Sequence, residues 1–141
     1  MTELARAAAV AAEVLAEHGD ALTVWAVDVR GGTGNFLTGA HVSLQIGYRP
    51  TGEAVLEAVA RAALVLGFDH VQLHPVNGHV RVVAVGEVST SAGTARVEAW
   101  DHLTGGDIER AAELLKIGLH RDTDPVYVAT VDLLGVLAAV A

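Results

Sequence analysis

The stretch HVQLHPVNGHVRV, His70 to Val82, constrains the fold more tightly than any other part of the chain. Asn77 and Gly78 suit a two-residue turn that needs positive φ at both central positions. If the chain reverses there, Val76 pairs with His79, His74 with Arg81, Gln72 with Val83 and His70 with Val85. Val71, Leu73, Pro75, Val80, Val82 and Ala84 then share one side. His70, Gln72, His74, His79 and Arg81 share the other, together with Val83 and Val85. Slipping the register by one residue would exchange the two sets, so the pattern itself specifies the pairing. A ribbon with one apolar and one polar side belongs to an antiparallel sheet that buries a single face.

The flanking segments fit such a sheet. Thr2 is placed to cap a helix running to about His18, with Gly19 as its stop. Ala21 to Arg30 and Phe36 to Tyr48 read as strands, joined by the loop GGTGN. In the second strand Phe36, Val42, Leu44 and Ile46 point one way, and His41, Ser43 and Gln45 the other. Thr51 caps the best helix, in which Val55, Leu56, Val59, Ala60 and Ala63 recur at helical spacing and Gly67 ends the run. Ala95 to Leu103 is a fifth strand that puts Arg96, Glu98 and Trp100 on one side. Asp107 is placed to cap a short helix, and Asp124-Pro125 to start a last one, although the many β-branched residues of that segment leave strand as an alternative. The order is α-β-β-α-β-β-β-α-α over residues 1–141. It predicts one α+β domain, a mostly antiparallel five-stranded sheet with helices on one face.

Composition narrows the function. The formal charge is −8 and no basic cluster offsets it, which argues against nucleic acid and anionic membrane surfaces as partners. There is no cysteine, which excludes disulfides, thiolate metal sites and cysteine nucleophiles and fits a reducing compartment, so the cytoplasm is the expected location. Glu3, Glu13 and Glu17 interrupt the first apolar run, which therefore reads as an amphipathic helix and no signal peptide. The apolar tail from Pro125 is too short to span a bilayer comfortably and is broken by Asp132. Lys116 is the only lysine, and Ala, Val and Gly abound, as in the proteins of high-GC actinobacteria and their phages.

Several residue sets have the composition for chemistry. His74 and His79 lie diagonally across the turn and form the best candidate metal pair, because imidazole ligates Zn, Ni or Cu. His70 and His74 share a face but stand about 13 Å apart along a strand. HVSL, with His41 and Ser43, and HLTG, with His102 and Thr104, are both His-x-Ser/Thr triplets. Paired triplets of this kind resemble the 2H phosphoesterase family. The resemblance implies that His41 and His102 act as general base and acid on a phosphodiester, with Ser43 and Thr104 holding the phosphate. The second triplet runs into TGGD, where the family pattern has a strand interior. GGTGN leads into a strand and not a helix, unlike a phosphate-binding loop, and no Gly-x-Ser-x-Gly elbow supports a serine triad.

The remaining expectation is a recognition surface. The polar sheet face would gather His41, Gln45, Gln72, His74, Arg81, Arg96 and Trp100, a mixture that interface centres favour. The last segment, with Val126, Val128, Val131, Leu133, Leu134, Val136 and Leu137, adds more apolar surface than one small globule needs. The sequence thus predicts a non-catalytic binding or assembly module without a cofactor. Its expected partner is another protein or a second copy of itself, as in a homo-oligomer or a virion head-to-tail or tail component.

Overall fold

The computed structural model describes residues 1–32, 39–47, 51–119 and 124–141. The loop residues 33–35, the first part of the expected second strand (36–38) and its last residue, Tyr48, lie outside them.

Helix α1 spans Glu3–Leu22, and the Thr2 hydroxyl accepts from the Ala5 amide at 3.0 Å. It runs past the stop expected at Gly19. Ala21 and Leu22 continue the helix, and Thr23, at φ 49°, closes it by donating its N–H to the Gly19 carbonyl at 3.3 Å. The first strand therefore begins late, as β1, Val24–Arg30. Strand β2 covers His41–Ile46. Helix α2, Gly52–Leu66, is capped by Thr51 and ended by Gly67 at φ 79°, as the sequence predicts.

Strands β3, His70–Val76, and β4, His79–Thr90, form the expected hairpin. Asn77 and Gly78 take φ of 43° and 89°, and the pairs Val76–His79, His74–Arg81 and Gln72–Val83 all form. The ladder stops there, so the expected pairing of His70 with Val85, two residues further on, does not form. Strand β5, Gly93–Thr104, is longer than expected at both ends and pairs with β4 along its whole length. Helix α3 is Gly106–Leu115. Its cap is Gly105, not Asp107. The Asp107 Cβ instead sits 2.9 Å from where a side chain on Gly52 would begin, so its side chain fills that space against α2.

The last segment departs most from expectation. Asp124-Pro125 does not open a helix. Val126–Ala129 is a short strand, β6, and helix α4 follows as Thr130–Val140. The alternation Val126-Tyr127-Val128 decides the matter, since it lets the two valines turn inward while the chain completes a free edge of β3. Thr130 fixes the change of direction. Its amide donates to the Asp69 carbonyl at 2.7 Å and its hydroxyl to the Phe68 carbonyl at 2.8 Å.

The result is an α+β fold with a six-stranded sheet in the order β1-β2-β5-β4-β3-β6. Every neighbouring pair is antiparallel except β2 and β5, which the crossover through α2 and the hairpin leaves parallel. Val42, Leu44, Ile46, Val71, Leu73, Val80, Val82, Val97, Ala99 and Leu103 point to one side, where they join the buried faces of α1 and α2 in one apolar cluster. Helix α4 leans on α2. No helix among the described residues lies on the opposite side of the sheet. Among the described residues, no helix is long and apolar enough to cross a membrane.

Candidate functional site: the helix-free face of the sheet

Strand register arranges this face in rows. The central row crosses all six strands as Ala26, Gln45, Trp100, Val83, Gln72 and Tyr127. On one side of it lie Asp28, Ser43, Glu98 and Val85, and beyond them Arg30, His41, Arg96 and Glu87. On the other side lie His102, Arg81 and His74, then Thr104, His79 and Val76. The structure thus places His41, Gln45, Gln72, His74, Arg81, Arg96 and Trp100 on a single surface.

Glu98 organises its centre. One carboxylate oxygen accepts from the Ser43 hydroxyl at 2.9 Å and from an Arg81 Nη2 at 2.7 Å. His41 Nε2 stands 3.9 Å from the same oxygen. To reach Glu98, the Arg81 guanidinium passes over Trp100, with its carbon 5.1 Å from the ring centroid, a cation–π contact. Arg30 is likewise tied to Asp28, at 2.8 Å. These residues line a groove of about 480 Å³ over β1, β2, β5 and β4, with Ala26, Gln45 and Trp100 along it. His41 is only 8% exposed, and its Nδ1 is buried with no hydrogen-bond partner among the described residues.

The arrangement does not assemble a nucleophile. Ser43 gives its hydroxyl hydrogen to a carboxylate, a poor base, and not to an imidazole. Nor do the two His-x-Ser/Thr triplets meet. His41 sits opposite Arg96 on β5, and His102 lies six residues further along that strand, roughly 20 Å away. A single phosphodiester cannot touch both.

His74 and His79 keep the diagonal relation expected across the turn. His74 is flanked by Arg81, and the ring contact of His79 is with His102, at 5.9 Å between centroids. Among the described residues, no group of three or more metal-ligating side chains converges.

Three contributors were not singled out in the sequence. Glu98 shares strand parity with Arg96 and Trp100, a signal that was available. Trp25 is the extra residue of a bulge between Val24 and Ala26, where register shifts, so simple alternation misplaces it. It is 71% exposed and edges a small hollow with Gln45 and His102. Tyr127, 66% exposed, was hidden by reading its segment as helix.

The charges are as ordered as the rings. Arg30, Arg81 and Arg96 face Asp28, Glu87 and Glu98, so the described rows of this surface are formally neutral, whereas the chain as a whole carries −8. No protein-family model, curated protein or solved structure matches this chain.

Proposed function

We propose that this chain works by contact and not by catalysis, its helix-free sheet face serving as a docking surface for another protein chain in an assembly. One observation carries the reading. The chain has two tryptophans, and both lie on the uncovered face with Tyr127 and the Arg81–Trp100 stack, while the described rows of that face are formally neutral. Interface centres are enriched in Trp, Tyr and Arg and depleted in Lys and unpaired acids, and this surface has that character. The virion component suggested by composition is a narrower form of the same proposal.

Site-specific photo-crosslinking in the producing cell tests it. A benzophenone side chain at Gln72, in the central row, should yield covalent adducts with another chain. The same group at Arg61, exposed on α2, should not. No adduct at Gln72, or equal adducts at both positions, would overturn the docking role.

A further inference from the structure

We propose that the occupant of this face is a second copy of the chain, seated so that Tyr127 of each copy enters the groove of the other. The inference rests on the docking reading above and names its partner.

The central row is asymmetric in a self-complementary way. At its β1 end the groove opens beside Ala26, the smallest side chain in the row. At its β6 end Tyr127 stands 66% exposed. The two ends lie about 24 Å apart, five strand spacings. A two-fold axis parallel to the strands, halfway along the row between Trp100 and Val83, interchanges them. It lays β6 of one copy over β1 of the other and keeps each row opposite its counterpart. The ring then meets Ala26, and Gln45 and Asp28 line the groove as hydrogen-bond partners for the phenol. Both contacts form at once, as an isologous interface requires.

Charge selects the same partner. Two chains of −8 repel through most of their surfaces, but the described rows of this face are formally neutral, so here two copies approach at least electrostatic cost. The overlap is modest: the full central row with the β5 and β4 parts of its flanking rows covers on the order of 450 Å² per copy, roughly 900 Å² over both, the size of a small interface.

Because the chain has no cysteine, a designed pair reads without background. The same two-fold axis sets Gln45 of one copy over Gln72 of the other, so the double variant Gln45→Cys, Gln72→Cys keeps Tyr127, and its two thiols, three strand spacings apart, are too far from each other to join within one copy. Mild oxidation at micromolar concentration should give covalent dimers. The control Gln45→Cys, Leu64→Cys, whose second thiol sits on exposed α2 surface, should give none. Monomer alone, or equal dimer in both, overturns the arrangement. Sedimentation of the cysteine-free protein gives the second readout. A dimer should dissociate about tenfold more readily in Tyr127→Ala and in Ala26→Trp, with circular dichroism unchanged. A monomer up to millimolar concentration, or a dimer indifferent to both changes, also overturns it. In either case adducts from Gln72 judge the docking reading separately.

Discussion

Leu73 and His74 are neighbours on β3 and differ in every physical respect. Leu73 is fully buried among the core side chains beneath α2, whereas His74 stands on the helix-free surface beside Arg81. The same contrast repeats along β4 between Val82 and Arg81. One face of the sheet is held by shape and dryness. The other is held by pairing, since Glu98 ties Ser43 and Arg81 and Asp28 ties Arg30. A face needs no apolar filling to be ordered, provided its charges satisfy one another.

The largest effects should come from the covered side. Leu73→Ala should cost about 2–5 kcal/mol in urea unfolding, and His74→Ala within about 0.5 kcal/mol. Similar losses at both positions would erase the distinction between the faces. Gly86 should rank next. The Phe68 ring lies 2.6 Å from where a Gly86 Cβ would be, so Gly86→Ala must displace a buried ring and should cost about 1–3 kcal/mol. An unchanged midpoint would mean that the ring moves freely.

On the open side, Glu98→Gln removes the charge that holds Arg81 at a site where the carboxylate is 16% exposed. The expected loss is about 1 kcal/mol, together with a shift in Trp100 emission as the guanidinium leaves the ring. Stability lost without a change in emission would separate the pairing from the stack. The smallest effect belongs to Glu13 on α1, which accepts from the Ser91 hydroxyl and, at 3.1 Å, from its amide. The Ser91 hydroxyl bond holds this carboxyl below its ordinary pKa, outweighing the desolvation that works against it. Its stabilising contribution is therefore complete above the ordinary carboxylate range and fades as pH falls through the lowered value. Melting temperatures of the parent and Glu13→Gln should differ at neutral pH and converge in acid.

Much of this was readable from residues alone. Asn77-Gly78 and the flanking alternation carry the hairpin, its register and the membership of both faces, because period-two patterning and a positive-φ turn are local properties. Thr51 and Gly67 bound α2 for equally local reasons. What escaped depends on distant partners. Val126-Tyr127-Val128 is ambiguous until β3 offers it an edge, and the parallel pairing of β2 with β5 follows from a crossover that no short window contains. Trp25 was obscured by a one-residue bulge. The spacing of His41 from His102 became measurable only when the two strands lay side by side.

The passage of Arg81 across Trp100 to Glu98 bears on how any partner would be met. A long, flexible side chain ordinarily forfeits rotamer freedom when an interface forms. Here that loss has already occurred during folding, because the guanidinium is fixed at both its flat surface and its end. A partner docking there would meet a side chain already ordered by the fold, so little rearrangement would be left for the encounter itself.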